Sequence, residues 1–214
     1  MARQPLFVGR PALIVVDIQQ GAAMPADVVG IAHMPGALER IARAERLLAG
    51  ARAAELPVVF FQEVHRRDGV DFGRELDGAE GVHCLEGDEA TALWPTLRPV
   101  EGEYHIVKRR YSGFIGTDFE LLLRGLGVST LVLIGGLTDV CVHYTFADAH
   151  QRDFYVRVVT DCVGGSTQAR HRASLDAMEY LQSGACRDTD EILSAFAALA
   201  LSPSTVDNRE SVAA

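Results

Sequence analysis

Short apolar, β-branched runs alternate along the chain with longer stretches in which apolar residues recur every three or four positions. The first run, ALIVV at 12–16, ends at Asp17 and reads as a strand buried on both faces. Helix-period apolar positions follow over 38–53, and Pro57 opens a second strand block, VVFF, that ends near Glu63. From 65 to 102 charges and glycines dominate, with one short helical piece at 89–93. This reads as an excursion over the surface, and excursions of that length are often functional.

Residues 104–108 give a third strand. Thr117 and Glu120 have the spacing of a capping box and start a helix that Gly127 stops. A fourth strand, STLVLIGG at 129–136, leads to a helix over 139–152, a fifth strand over 155–160, a helix over 168–181, a short strand near Ala185 and a last helix over 191–200. This alternation predicts an α/β fold with a central, mainly parallel sheet of about six strands and helices on both faces. No internal repeat interrupts it. One domain over 1–203 is expected, with a flexible tail at 204–214.

Composition narrows the functions open to such a chain. A net charge of -9 with acids and bases intermixed offers no basic stripe for a phosphate backbone, and excludes nucleic acid and anionic membranes as expected partners. The apolar runs are too short to span a bilayer. The N-terminal segment lacks an apolar core followed by a small-residue cleavage site, so a cytoplasmic location is expected. Cys84, Cys141, Cys162 and Cys186 are scattered without a paired spacing, which predicts free thiols rather than a zinc site or a disulfide framework.

In parallel sheets the working site lies beyond the carboxyl ends of the strands. Asp17 ends the first strand, Lys108 the third, and Cys141 follows the fourth, so an acid, a base and a nucleophile should face one crevice. Singly, each has a bland reading: a loop anchor, a solvated charge, a small packed hydrophobe. Cys141 differs in following GGLTDV, where two glycines permit a close approach to a ligand and Thr138 or Asp139 can cap a new helix. Its sulfur is then expected at a helix N-terminus, where the dipole and a nearby ammonium raise the thiolate fraction.

The strand ending in Asp17 with Gln19, the segment KRRYSGF carrying Lys108, Ser112 and Phe114, and the segment GGLTDVCV with Thr138 three residues before Cys141 together resemble the isochorismatase-like cysteine hydrolases, over about residues 10–200. The resemblance implies a three-layer Rossmann-like fold and a covalent acyl-enzyme on Cys141. It assigns proton transfer to Asp17, support of Asp17 and the thiolate to Lys108, and an oxyanion hole to the N–H groups of Leu137 and Cys141. It also implies a cis peptide at Gly136–Leu137 and a homo-oligomer, commonly a dimer or tetramer.

Nicotinamidases of this family carry an Asp-x-His and a further His that bind a metal. Here Glu63 and His65 keep the spacing of the first pair, but Arg66, Arg67, Asp68 and Asp71 occupy the positions that follow, so no metal and no cofactor are expected. Isochorismatases proper lack the cysteine. The remaining expectation is an amidohydrolase acting on a small linear amide or ureide in nitrogen metabolism, with Gln19, Glu63, His65, Arg66, Tyr111, Phe114, Thr138 and His143 as candidate substrate contacts. A same-fold hydrolase of another bond preference, nicotinamidase-like or isochorismatase-like, and a catalytically silent binding protein are the alternatives; the intact triad weighs against the latter.

Overall fold

In the computed structural model, which describes residues 5–201, the alternation resolves into β1 (Arg10–Val16), α1 (Ala26–Val29), α2 (Ala37–Ala53), β2 (Val58–Glu63), β3 (Tyr104–Lys108), α3 (Phe119–Gly125), β4 (Val128–Gly136), α4 (His143–His150), β5 (Tyr155–Gly164), α5 (Gln168–Leu181), β6 (Cys186–Arg187) and α6 (Thr189–Ala200). The tail expected at 204–214 lies outside the described residues. All six strands join one sheet in the order β3-β2-β1-β4-β5-β6, every pair parallel.

The apolar runs are strands because both of their faces are covered. Ala12, Ile14 and Val16 of β1 pack with Val59, Phe61, Leu131 and Leu133 under Phe119 and Phe146, whereas Leu13 and Val15 pack with Phe60, Val132 and Ile134 under Leu47 and Leu48 of α2 and Phe196 of α6. Each Val, Leu, Ile or Phe among them taken out of water contributes about 1.5–3 kcal/mol before the entropy of ordering is counted. On α2, Ile41, Ala44, Leu47, Leu48 and Ala51 fall at helical spacing and turn one stripe to the sheet.

Three boundaries depart from the sequence pattern, each through a local hydrogen bond. The capping box at Thr117 and Glu120 is not formed. Thr117 Oγ1 accepts from the Phe119 amide at 3.2 Å and donates to the Gly113 carbonyl, while Glu120 turns outward to Arg152 at 3.0 Å. A capping box forms instead between Asp188 and Glu191, so α6 starts at Thr189 rather than at 191. β5 continues past 160 to Gly164 because Val163 and Gly164 pair with Gly135 and Gly136 beyond a register shift.

Strand order runs outward from β1 to β3 on one side and from β4 to β6 on the other, so the direction of winding reverses between β1 and β4. Crevices open at such reversals. Asp17 and Cys141 both follow the strands that flank this one.

Candidate functional site

Asp17 leaves β1 with φ +49°, an uncommon conformation for a residue with a side chain. Its amide donates to the Phe61 carbonyl at 3.2 Å, and its Oδ1 accepts from the Glu63 amide at 2.9 Å, so the carboxylate is tied to the end of β2. Gly135 makes room for this corner: its φ is +111°, and a Cβ there would stand 2.0 Å from the Val16 carbonyl oxygen.

Lys108 is fully buried at the end of β3. Its Nζ lies 2.9 Å from Asp17 Oδ2, 2.5 Å from Glu63 Oε2 and 3.3 Å from Cys141 Sγ. Cys141 is only 6% exposed, and its thiol donates to Glu63 Oε2 at 3.2 Å. Burial favours the neutral form of the lysine, but the surrounding Asp17, Cys141 and Glu63 outweigh it and hold the ammonium well above its usual range. Burial raises Asp17 against the opposing pull of Lys108. It also works to raise Glu63, which Lys108, His65 and His83 nevertheless hold well below the usual carboxylate range.

Burial runs against the expected enrichment of thiolate. Burial pushes the Cys141 thiol well up; Lys108 opposes this, and Glu63 and Asp17 add to it. The sulfur also sits inside a π-helical turn, Thr138–Val142, rather than at a capped α-helix start. Neither proposed cap acts as one: the Thr138 hydroxyl bonds His171 Nδ1 at 2.9 Å, and the Asp139 carboxylate accepts from the Ser166 amide at 2.7 Å. The upward push favours the protonated form of the Cys141 thiol. The peptide bond between Gly136 and Leu137 is cis.

Glu63 faces a second cluster with its other oxygen. Oε1 lies 3.1 Å from His83 Nε2 and 3.4 Å from His65 Nε2, while Glu75 Oε2 lies 3.1 Å from His65 Nε2 and 3.9 Å from His83 Nε2. Four ligand-type atoms thus fall within 4.8 Å of one another, all on buried residues. Donors bound tetrahedrally at about 2.1 Å would stand roughly 3.4 Å apart. Neither Glu75 oxygen accepts a well-formed hydrogen bond although the carboxylate is buried. His83 Nδ1 lies 2.7 Å from the Gly81 carbonyl and His65 Nδ1 lies 3.4 Å from Asp71 Oδ1, contacts that turn both Nε2 atoms inward. These residues fit a divalent ion. Without one, His65 is raised to about 9: burial opposes protonation, but Glu63 and Glu75 prevail.

Among the expected contacts, Asp17, Gln19, Glu63, Tyr111, Leu137 and Cys141 line one cavity of about 150 Å³, room for a molecule about the size of benzene. Gln19 reaches across it to the Glu63 and Thr91 carbonyls at 3.0 and 2.7 Å. Lys108 lies behind the sulfur. His65 sits behind Glu63, stacked on Phe72, and Arg66 is held outside by Asp71. Phe114 packs against Phe119 and Phe154, Thr138 against His171, and His143 beside Tyr144, so these do not line the cavity. Sequence reasoning did not single out Glu75 and His83, or Arg40, which also lines the cavity. The first two return from the long excursion after β2, at a separation that no fixed spacing reveals.

A family model for the isochorismatase domain matches residues 11–191, and the chain belongs to that family. Ureidoacrylate amidohydrolase RutB from Methylobacterium radiotolerans is 33% identical over 186 residues, covering 78% of this chain and 72% of the relative. Maleamate amidohydrolase from Pseudomonas putida is 32% identical over 173 residues, covering 79% of each. The crystal structure of N-carbamoylsarcosine amidase from Thermoplasma acidophilum superposes with a TM-score of 0.72 at 29% identity, over 85% of this chain and 97% of that one. Among the described residues no helix is long and apolar enough to cross a membrane.

Proposed function

We propose that this protein is a cysteine-dependent amidohydrolase that cleaves the carbon–nitrogen bond of a small linear amide or ureide of carbamoyl or guanyl type, releasing ammonia or an amine. One observation carries the reading: a buried thiol 3.3 Å from a buried ammonium, with two carboxylates on that same ammonium, at the wall of a small cavity. The relatives named as amidohydrolases support it.

Cys141 Sγ attacks the substrate carbonyl carbon while its proton passes to a carboxylate, Asp17 in this reading. The tetrahedral oxyanion is received by the N–H groups of Leu137 and Cys141, each such donor contributing roughly 3–4 kcal/mol. Asp17 returns the proton to the departing nitrogen, the thioester forms, and water hydrolyses it to the acid. Lys108 keeps both neighbouring carboxylates in reach of ionisation and offsets negative charge on sulfur. Glu63, His65, Glu75 and His83 would hold a divalent ion, which when bound supplies a fixed positive charge beside the catalytic carboxylates.

That cluster favours one second reading, a nicotinamidase-like preference. By family resemblance the protein also works as a homo-oligomer, a dimer or tetramer, in the cytoplasm, within nitrogen metabolism. Ammonia release from a panel of small amides, ureides, carbamoylated amino acids and nicotinamide, with wild type beside Cys141→Ala, tests the proposal. Turnover of one class that vanishes in the variant supports it; ammonia formation that survives the variant contradicts it.

A further inference from the structure

Four arginines project from α2, and three of them have acidic partners: Arg43 with Asp161 at 3.3 Å, Arg46 with Asp190 at 3.1 Å and Arg52 with Glu103 at 2.7 Å. Arg40, in the first turn, forms no ion pair among the described residues. Its guanidinium donates only to backbone, to the Pro35 carbonyl at 2.8 Å and the Met34 carbonyl at 3.1 Å. Arg40 nevertheless lines the same cavity as Cys141, among apolar walls that include Ile18, Ile31, Ile41 and Val140.

The fold makes specific room for this cation. A Cβ at Gly164 would stand 2.5 Å from Arg40 Nε and 2.8 Å from Nη2, so any larger residue at the end of β5 would displace the guanidinium. Gly164 is also the register partner of Gly136, the residue before Leu137. Neighbouring strands are about 4.8 Å apart. The charge therefore sits roughly one strand to the side of the loop that carries the proposed oxyanion donors, within the reach of a short molecule.

We propose that Arg40 is a specificity-determining residue that anchors a carboxylate, and that the substrate is a small amide acid, with the scissile carboxamide or ureide at one end and a carboxylate at the other. This rests on the reading of Cys141 as the nucleophile in this cavity. A guanidinium suits the task because it is always charged and its planar fork matches a carboxylate in two places. An analogue that is neutral at that end would leave the cation half-buried and unpaired, and so be rejected.

Maleamate and maleamide test this, since they share shape and scissile amide and differ in the charge at the far end. Wild type is expected to favour maleamate in kcat/KM by roughly a hundredfold, the factor given by one charge-assisted hydrogen-bonded contact. In Arg40→Met, and in Gly164→Ala, that preference collapses toward unity mainly through KM, while Arg40→Lys recovers part of it. A preference unchanged in an Arg40→Met protein that melts at the wild-type temperature overturns the proposal. Calorimetric titration of maleate into Cys141→Ala and into the Cys141→Ala, Arg40→Met double variant needs no turnover. If wild type hydrolyses neither amide, the amidohydrolase reading fails for this class, and the titration still decides Arg40: binding lost with Arg40 supports the anchor, and binding that is indifferent to Arg40 or absent throughout overturns it.

Discussion

Glu63 and Cys141 are in direct contact, the thiol 3.2 Å from Glu63 Oε2, while Asp17 touches the same Lys108 ammonium from the other side. Two carboxylates thus compete for one cation next to one thiol. Glu63 is held ionised and Asp17 is raised, a division that suits Asp17 to accept and return a proton and Glu63 to remain a fixed charge. Asp17→Asn is therefore expected to lower kcat by about 10²–10⁴-fold. Glu63→Gln should lower it less while also emptying the neighbouring cluster of bound metal. Steady-state kinetics and metal content on the two variants check this; equal kinetic losses with unaltered metal content would contradict the division of roles.

The Glu63, His65, Glu75 and His83 cluster predicts about one tightly bound divalent ion per chain. Glu75→Ala and His83→Ala should each reduce the metal content measured by elemental analysis. Because an ion that binds only the folded chain stabilises it by about 2.7 kcal/mol at a hundred times its Kd, chelation should lower the Tm of wild type and leave that of His83→Ala nearly unmoved.

Lys108 neutralises two buried acids. Lys108→Met leaves Asp17 and Glu63 facing each other without a cation, and loss of one partner from a buried ionic cluster typically costs 3–5 kcal/mol. Urea unfolding at neutral pH should show a loss of about that size, together with loss of turnover.

Gly135 is required by the close approach of β4 to the end of β1. Gly135→Ala places a methyl group against the Val16 carbonyl at φ +111° and should destabilise the protein by more than the ~1 kcal/mol of an unstrained Gly to Ala exchange, with Asp17 displaced. Thermal melting and kcat on this variant check both effects.

The sheet was legible because β1, β2 and β4 each carry an unbroken apolar run of β-strand length, as strands covered on both faces do. The ends of β1 and β3 and the turn after β4 then point to Asp17, Lys108 and Cys141, since the ends of parallel strands converge whatever the loops do. What the sequence concealed depends on the loops. His83 reaches Glu63 only because the excursion after β2 folds back, pinned by His65 pairing with Leu85. Nothing in the helical spacing distinguishes Arg40 from Arg43 and Arg46; its place in the cavity wall, its packing on Gly164 and its backbone-only partners do. Burial, which pushes the Cys141 thiol up, is concealed in the same way, because one-dimensional spacing does not report depth.

Whether Cys141 carries an acyl group during turnover is most directly tested by rapid acid quench of the enzyme with a hydrolysed amide, followed by mass spectrometry of the peptide that contains residue 141. An adduct of the acyl mass on Cys141 that forms faster than the product acid and is absent from Cys141→Ala is the expected result. Undiminished product formation by Cys141→Ala, with no adduct on the wild-type peptide, would contradict covalent catalysis by this thiol.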